Sequence, residues 1–242
     1  MIKGLIFDIN GTLTDILTDE NSYDIYRTTA NFLDYYGVKI APDRLKQLYN
    51  EYNKEQRSNS REDFPEFDVS DIFYRIVRDC KTRRLDNIRL LADTASIVFR
   101  AAGRYKLECY NQVKEVLSQL SEQYRMGAVS DGQQLWAEPE LYSVGLQDYF
   151  VTVVVSGDLG YRKPDRRIFD QALNAMQLFA DEVIFIGNDM YRDIYGAKNA
   201  GMKTVLYKSN QGDHSFHGVN ADYIIYNFGE LPRAIEFLTA DQ

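Results

Sequence analysis

The chain opens on a short apolar segment that predicts a buried β-strand. Leu5, Ile6 and Phe7 are consecutive apolar residues, and Asp8 and then Gly11 follow them. An apolar run that ends in a charged residue and a glycine is typical of a buried strand whose carboxyl end leads into a polar turn. We therefore expect a sheet to begin here, with Asp8 at the end of its first strand.

A long segment after this strand has the apolar spacing of helices. Its apolar and small positions recur at intervals of three and four residues in two sets, which are Ile25, Thr29, Phe32, Leu33 and Tyr36, and Val69, Ile72, Phe73, Ile76 and Val77. This spacing matches the 3.6-residue turn of an α-helix. Gly37, Pro42 and the polar stretch Ser58–Pro65 interrupt the pattern and separate one helix from the next. We expect an inserted all-helical module over residues 17–103.

Beyond Gly103, short apolar runs alternate with segments of helical spacing. The runs are Met126–Val129, Val151–Val155, Val183–Ile186, Thr204–Leu206 and Tyr223–Ile225. Strands that alternate with helices are typical of βαβ units and a mostly parallel sheet. The pattern predicts an α/β fold whose core consists of residues 1–16 and 104–242.

Length and charge narrow the classes of function. A chain of 242 residues with 45% apolar residues is long enough for one large domain, or for a core with a smaller module. Its formal net charge is −8, and its basic residues cluster no further than short pairs such as Arg83 and Arg84. This balance argues against a nucleic-acid partner or an anionic membrane surface, because both require a basic patch.

The cysteines and the amino terminus favour a cytoplasmic protein. Cys80 and Cys109 lack any zinc or redox spacing, and so few cysteines are typical of a reducing compartment. The apolar stretch Ile2–Phe7 is interrupted by Lys3, and it is too short for a signal peptide or a membrane span. We therefore expect a cytoplasmic protein without a membrane partner.

Polar residues follow four of the predicted strands, at the edge where open parallel sheets bind ligands. Asp8 follows the first strand and Ser130 the second, Lys163 lies in the loop after the third, and Asn188 and Asp189 follow the fourth. A carboxylate, a hydroxyl, an ammonium and an acidic loop can converge there on a small anionic substrate and a divalent cation. The set predicts a phosphoryl-transfer site.

Asp8 is the candidate nucleophile of this site. A carboxylate that attacks a phosphoryl group forms an aspartyl-phosphate, which divides one difficult hydrolysis into two easier steps. Since a phosphate and a carboxylate repel each other, we expect a hard cation with oxygen ligands, with Mg²⁺ as the usual choice. Asp189 and Asp193 are candidates to help hold it.

Hydrogen-bond donors near the nucleophile complete the predicted site. Thr12, Ser130, the backbone amides of the turn at Gly11 and the ammonium of Lys163 are candidate donors to the nonbridging phosphate oxygens. Negative charge is carried on these oxygens in the transition state of phosphoryl transfer. We expect the donors to clamp the phosphoryl group.

The order of these segments resembles the four motifs of the haloacid dehalogenase superfamily. The segments are Asp8-Ile9-Asn10-Gly11-Thr12-Leu13-Thr14-Asp15, Val129-Ser130, Arg162-Lys163-Pro164-Asp165, and Ile186-Gly187-Asn188-Asp189 with Asp193. The resemblance covers residues 1–16 and 104–242, and it implies a Rossmann-like core. The insertion after the first motif is similar to the C1 cap of a subfamily rich in small-molecule phosphatases.

The resemblance also implies a role for each matching residue. The implied catalytic positions are Asp8, Asn10 and Lys163. The implied substrate-binding positions are Thr12, Ser130, Asp131, Gly132 and Lys163. The implied Mg²⁺ ligands are Asp8, Asn10, Asn188, Asp189 and Asp193. In this family the cap selects the substrate, so Arg27, Arg57 and Arg61 are candidate substrate contacts, unless they are ordinary surface arginines of amphipathic helices.

The first departure from the family pattern is Asn10. Family phosphatases have an aspartate two residues after the nucleophile, where it protonates the leaving group and then activates water. The amide of Asn10 carries no titratable proton near neutral pH, and losing a general acid/base costs about 10²- to 10⁴-fold in rate. In the family the same residue ligates the metal through its backbone carbonyl, which Asn10 retains. Binding is therefore expected to survive better than turnover.

The second departure lies in the fourth motif. The family commonly has Gly-Asp followed five residues later by Asp, whereas this chain has Gly187-Asn188-Asp189 with Asp193 retained. Either the side-chain oxygen of Asn188 ligates the metal, or Asp189 supplies the carboxylate instead. The two asparagines lower the local negative charge by two, which is expected to weaken Mg²⁺ affinity or to raise the affinity for an anion without a metal.

Three functions from different classes are consistent with this pattern. The first, which we expect, is a Mg²⁺-dependent phosphatase of a small phosphorylated metabolite, with reduced activity and a preference for good leaving groups such as acyl phosphates. The second is a noncatalytic or regulatory protein that binds a phosphorylated ligand or accumulates the aspartyl-phosphate. The third is another hydrolase such as a dehalogenase, because dehalogenases of the superfamily also lack the second aspartate.

Overall fold

A six-stranded parallel sheet forms the centre of the fold in this computed structural model, which describes residues 1–240. The strands of the chain are β1 (Gly4–Phe7), β2 (Thr14–Thr18), β3 (Arg104–Cys109), β4 (Arg125–Ser130), β5 (Thr152–Val155), β6 (Val183–Gly187), β7 (Lys203–Tyr207) and β8 (Tyr223–Ile225). The sheet has the order β5-β4-β1-β6-β7-β8, and every neighbouring pair is parallel. The predicted parallel α/β core is therefore confirmed.

Helices cover both faces of this sheet. They are α5 (Val113–Ser121), α6 (Gln134–Ser143), α7 (Arg166–Met176), α8 (Gly196–Ala200) and α9 (Leu231–Ala240). Successive side chains of a strand point to opposite faces. Accordingly, Leu5 and Phe7 pack in one buried cluster with residues of α5 and α9, whereas Ile6 packs in another with residues of α7. This arrangement explains why β1 is apolar at consecutive positions.

The segment between β2 and β3 is helical, as its apolar spacing predicts. Its helices are α1 (Tyr23–Tyr35), α2 (Pro42–Asn59), α3 (Val69–Cys80) and α4 (Ile88–Gly103). They enclose a hydrophobic cluster of their own, to which the core contributes Trp136 of α6. Asp68 caps α3 by accepting a hydrogen bond from the backbone N–H of Asp71. Within residues 1–240, no helix combines the length and apolar character needed to cross a bilayer.

The strands β2 and β3 form a separate antiparallel ribbon, which the apolar pattern does not predict. The ribbon pairs Thr14 with Cys109 and Asp15 with Glu108, on either side of the helical segment. The predicted boundary between residues 16 and 17 falls inside β2, and the boundary between residues 103 and 104 falls at the start of β3. Both crossings between the sheet and the helices therefore run through this ribbon.

The order in which strands are added to the sheet reverses between β1 and β6, although all six strands are parallel. From β1 the chain builds the sheet outward through β4 and β5, and it then returns to the other side of β1 to build β6, β7 and β8. Open α/β sheets bind ligands in the crevice beyond the carboxyl ends of the strands at such a reversal. Asp8 follows β1 and Asn188 follows β6, so both residues lie at this crevice.

Candidate active site

Asp8 is held at the crevice by the sheet itself. Its backbone N–H donates to the carbonyl oxygen of Ile186 at 2.9 Å, which continues the pairing of β1 with β6 by one residue. The residue is 5% exposed. Its backbone position is therefore fixed by the pairing of two neighbouring strands.

Lys163 contacts two carboxylates at once. Its Nζ lies 2.6 Å from Oδ1 of Asp8 and 2.7 Å from Oδ1 of Asp193. Burial opposes the positive charge, but the carboxylates of Asp193 and Asp8 outweigh burial and raise the pKa of Lys163. Burial raises the pKa of Asp193, while the ammonium of Lys163 acts in the opposite direction. A fixed cation thus lies beside the candidate nucleophile.

Thr12 connects Asp8 to Asn188. The Thr12 hydroxyl lies 2.8 Å from Oδ2 of Asp8 and 3.2 Å from Oδ1 of Asn188. The Asn188 amide lies between two glycines, because a Cβ at Gly11 would come within 2.3 Å of its Nδ2 and a Cβ at Gly212 within 2.6 Å. Both glycines have positive φ, at +87° and +82° respectively. The turn after β1 and the loop after β7 therefore hold Asn188 in place.

The predicted substrate-binding residues of the second motif lie beside Lys163. Ser130 ends β4 and is 2% exposed, and it lines the cleft described below. Oδ1 of Asp131 accepts a hydrogen bond from the backbone N–H of Lys163 at 3.0 Å. Burial raises the pKa of Asp131, against the attraction of Lys163. The backbone N–H of Gly132 donates to Oγ of Ser156 at 2.9 Å, so a protein acceptor already occupies this amide.

Asn10 lies where the turn after β1 meets the cleft. It is half-buried and lines the cleft. Its Oδ1 accepts a hydrogen bond from the Thr14 hydroxyl at 3.1 Å. The side chain is therefore oriented by the protein and remains accessible from the cleft.

Asp189 acts as a cap for the helix that follows it. Its Oδ1 accepts hydrogen bonds from the backbone N–H groups of Tyr191 and Arg192, and its Oδ2 lies 2.9 Å from Nη2 of Arg192. The helix begins as a π-helical turn, Met190–Tyr195, and continues as α8. Burial opposes ionisation of Asp189, but the hydrogen bonds from Arg192 outweigh it and lower the pKa. Both carboxylate oxygens of Asp189 therefore already have hydrogen-bond donors within the protein.

Replacing the cap tests this assignment. We expect Asp189→Ala to lower the free energy of unfolding by about 1–2 kcal/mol, because two backbone donors of the first turn lose their acceptor. Asp189→Asn keeps the Oδ1 acceptor and is expected to retain most of that stability. Urea denaturation of both variants measures the difference. Equal loss in the two variants would mean that the charge, and not the cap, stabilises this turn.

The candidate metal ligands at the crevice are all oxygen atoms. Among residues 1–240, no group of three or more histidine, cysteine, aspartate or glutamate side chains is arranged to hold a metal. However, Oδ2 of Asp8 and Oδ1 of Asn188 both lie within hydrogen-bond distance of the Thr12 hydroxyl, and Asn10, two residues after Asp8, has a backbone carbonyl in the same segment. Carboxylate, amide and carbonyl oxygens suit a hard cation. The residues fit Mg²⁺ in ligand type, with one carboxylate among these three donors.

A cleft of about 810 Å³ opens at this edge of the sheet beside Asn10, while the buried Asp8 does not itself line it. The core lines it with Asn10, Ser130 and Asp131, and the helical segment lines it with Arg57 and Arg100. The volume is in the range of small-molecule sites. The cleft therefore lies between the sheet and the helices.

The three arginines predicted to contact substrate differ in their placement. Arg57 lines the cleft, where Glu66 holds its guanidinium at 2.9 Å. Arg27 pairs with Asp24 on the exposed face of α1, and Arg61 is exposed in the loop after α2. Neither of these two arginines lines the cleft. Of the three, the structure brings only Arg57 to the candidate site.

Several residues of the cleft were missed by the sequence analysis. Gln211 lines the cleft and donates to Oδ1 of Asp15 at 2.9 Å. Gln133 joins the core to the helical segment, since its side chain accepts from the N–H of Val69 and donates to the carbonyl of Phe67. A usable signal existed for Gln211, because it follows β7 at the same edge of the sheet.

Known proteins match nearly the whole length of this chain. A family profile described as haloacid dehalogenase-like hydrolase matches residues 5–207. The chain is 30% identical over 241 residues to a glyceraldehyde 3-phosphate phosphatase from Pyrococcus furiosus, covering 98% of this chain and 93% of the relative. It is 29% identical to a 5-amino-6-(5-phospho-D-ribitylamino)uracil phosphatase from Escherichia coli, covering 88% of this chain and 86% of the relative.

Solved structures share the architecture. A 2-haloacid dehalogenase from Pseudomonas syringae superposes with a TM-score of 0.70 at 23% identity, over 98% of this chain and all of the other. A HAD phosphatase from Thermococcus onnurineus superposes with a TM-score of 0.61 at 22% identity, over 97% of this chain and 98% of the other. At these identities the likeness establishes the fold, and a fold alone does not select between the two reactions.

Proposed function

As a member of the haloacid dehalogenase-like hydrolase family, this chain is a hydrolase, and we propose that it hydrolyses a small phosphomonoester through an aspartyl-phosphate on Asp8. The observation that carries the proposal is the position of Lys163 Nζ, which lies 2.6 Å from Asp8 at the crevice of the sheet. The names of the relatives support a phosphorylated substrate, and glyceraldehyde 3-phosphate is the first compound to test.

The first chemical step places charge where this chain has donors. A carboxylate oxygen of Asp8 forms a bond to phosphorus, and the bond from phosphorus to the ester oxygen breaks. The Lys163 ammonium lies against Oδ1 of Asp8, and Thr12 and Ser130 carry hydroxyls on the same side of the sheet. These groups would donate to the nonbridging oxygens and stabilise their charge.

A hard cation would complete the charge balance. We propose that Asp8, the backbone carbonyl of Asn10 and the side-chain oxygen of Asn188 would hold Mg²⁺. When bound, Mg²⁺ would supply positive charge against the phosphoryl oxygens. Asp193 would position these groups. Its Oδ1 accepts a hydrogen bond from the Lys163 ammonium, and its Oδ2 accepts from the backbone N–H groups of Asn188 and Asp189.

The proton balance of the reaction favours good leaving groups. The departing oxygen needs a proton, and the second step needs a base for water, but the Asn10 amide supplies neither. An acyl phosphate leaves as a carboxylate and needs no proton. We therefore propose low turnover on alkyl phosphates and faster turnover on acyl phosphates.

The helical segment Tyr23–Gly103 is proposed to act as a cap. It contributes Arg57 and Arg100 to the cleft, and it contacts the core at the second-motif loop through Gln133. A cap in this position excludes water from the reacting groups and contacts the part of the substrate that is not transferred. Substrate choice would then depend on side chains at the boundary between the cap and the core.

Phosphate release and covalent labelling test the proposal together. We expect the purified protein to release phosphate from acetyl phosphate at least about tenfold faster than from glyceraldehyde 3-phosphate, and to need Mg²⁺ for full activity. A stable phosphoprotein without phosphate release would support the regulatory alternative instead. Halide release from a 2-haloacid would indicate a dehalogenase, and neither product nor label from any phosphorylated compound would refute the proposal.

A further inference from the structure

Arg162 is a cation of the cleft without a counter-ion. Its side chain lines the cleft and is half-buried. Within residues 1–240, no carboxylate oxygen lies within 4.0 Å of its guanidinium, and the guanidinium makes no hydrogen bond to the protein. This is unexpected in a chain with a net charge of −8, which has carboxylates in excess.

The other cations of the cleft are all paired. Nη2 of Arg57 lies 2.9 Å from Oε1 of Glu66, and Nε of Arg100 lies 2.7 Å from Oε1 of Glu140. Nζ of Lys106 lies 2.5 Å from Oδ2 of Asp15, and Nη2 of Arg192 lies 2.9 Å from Oδ2 of Asp189. Each pair leaves its cation with less capacity to bind an incoming anion. Among the cleft-lining residues of the described chain, Arg162 therefore has the guanidinium most available to a ligand.

The backbone around Arg162 is fixed on both sides. Its N–H donates to the carbonyl of Phe64 in the helical segment at 3.0 Å, and its carbonyl accepts from the N–H of Asp165 at 3.1 Å. The next residue is Lys163, whose Nζ contacts Asp8. Arg162 therefore lies at the boundary between cap and core, one residue from the cation that touches the nucleophile.

We propose that Arg162 binds a carboxylate on the part of the substrate that is not transferred, so that the protein prefers small acidic phosphomonoesters; this rests on the proposed function. A guanidinium presents a planar fork of donors that matches a carboxylate in a bidentate geometry. The phosphoryl group already has Lys163, Thr12 and Ser130 as its donors. Arg162 faces the space shared with Arg57 and Arg100, where the remainder of the substrate would lie.

A matched pair of three-carbon phosphates tests the proposal. 3-Phosphoglycerate and glycerol 3-phosphate differ in a carboxylate that replaces a hydroxymethyl group. We expect kcat/KM for 3-phosphoglycerate to exceed that for glycerol 3-phosphate by about 10- to 100-fold, mainly through KM, since a charged hydrogen-bonded pair contributes this much. Arg162→Gln is expected to bring the ratio to about one by weakening the acidic substrate only. Arg162→Lys is expected to keep part of the preference.

Two controls separate specificity from general damage. Arg166→Gln removes an exposed guanidinium that pairs with Asp170 on α7, and it is expected to leave both substrates unchanged. Thermal unfolding of Arg162→Gln is expected to match the wild type closely, because its guanidinium makes no hydrogen bond or ion pair within residues 1–240 that could be lost. If Arg162→Gln slowed both substrates equally, Arg162 would bind the phosphoryl group and the specificity proposal would be wrong.

Binding measurements keep the inference independent of turnover. Calorimetry with the same two phosphates gives Kd values for the wild type and for Arg162→Gln. Tighter binding of 3-phosphoglycerate that is lost in the variant would support the role of Arg162 even if neither compound were hydrolysed, in which case only the phosphatase proposal would fail. Equal Kd values for the two compounds in the wild type would overturn the inference.

Discussion

Asp8→Asn is expected to lower phosphate release by on the order of 10³-fold or more, because an amide oxygen is a far weaker nucleophile than a carboxylate. The substitution is nearly isosteric, so the side chain keeps its place at the end of β1. The Thr12 hydroxyl at 2.8 Å still finds an oxygen acceptor there. Steady-state phosphate release from acetyl phosphate, on protein whose mass has been verified, measures the loss.

The ion contacts of Lys163 make this variant interpretable. Losing the Asp8 charge removes one of two carboxylates from the ammonium, but Asp193 at 2.7 Å remains. We therefore expect the variant to fold, and a thermal scan beside wild type checks this. Asp170→Asn, which removes a partly exposed aspartate of α7, is the matched control and is expected to keep full activity. Full activity in Asp8→Asn, or a phosphoprotein label retained in it, would refute the assignment of the nucleophile.

The sheet was predictable because each strand carries a strongly apolar signal within its own few residues. Leu5, Ile6 and Phe7 are buried on both faces, so the apolar run alone identifies β1. Likewise the spacing of Val69, Ile72 and Phe73 identifies one buried face of α3. In each case the signal lies within one element and needs no knowledge of distant residues.

The ribbon of β2 and β3 lacks such a signal. Its strands pair across the whole helical segment, with Ile16 opposite Leu107. Neither strand has a continuous buried face, since only Thr14 is fully buried among the residues of the two strands. A two-stranded ribbon is stabilised by its cross-strand partners, and these are distant in sequence. The apolar pattern therefore cannot locate it.

The candidate site likewise has some features that the sequence predicts and others that it does not. The rule that ligands bind at strand ends brought Asp8, Ser130 and Lys163 together from sequence, because the parallel sheet fixes where these residues lie. The orientation of Asp189 follows instead from the π-helical turn and from the loop after β7, whose Asp213 N–H donates to Asp189 at 3.3 Å. That loop is polar and irregular, so sequence did not distinguish a cap from a ligand at Asp189.

The role proposed for Arg162 could not be predicted from the sequence, for a different reason. It stands beside Lys163 in the third motif, yet what distinguishes it is a partner that is lacking in residues 1–240. Pairing depends on which carboxylates the fold brings to the cleft. Glu66 of the helical segment pairs with Arg57, and Glu140 of α6 pairs with Arg100. Composition and spacing do not contain that information.

Asn10→Asp is expected to raise turnover of alkyl phosphates by about 10²-fold, at the lower end of the range for a general acid/base. Asn10 lines the cleft, and the Thr14 hydroxyl holds its Oδ1 at 3.1 Å. An aspartate of the same shape would occupy the same position, protonate the leaving oxygen and then accept a proton from water. The gain is expected to be smaller for acetyl phosphate, whose leaving group needs no proton.

Two measurements distinguish this effect from a change of charge in the cleft. Asn210→Asp adds the same charge to another residue that lines the cleft, and it is expected to give no increase. The pH profile of Asn10→Asp is expected to gain an ionisation that the wild type lacks. An Asn10→Asp variant no faster than wild type on alkyl phosphates would show that position 10 does not carry the proton.

Deamidation of the wild type would imitate this variant, so the comparison depends on the state of Asn10. Asn10 precedes Gly11, and glycine leaves its backbone amide free to attack the asparagine side chain, although the hydrogen bond from Thr14 and the packed turn restrain that geometry. If Asn10→Asp is about 10²-fold faster, a preparation with one per cent of aspartate at position 10 would double the apparent wild-type rate. Alkyl phosphatase activity that rises with storage in step with the deamidated mass fraction, while the rate of Asn10→Asp stays constant, would attribute that activity to a carboxylate at position 10.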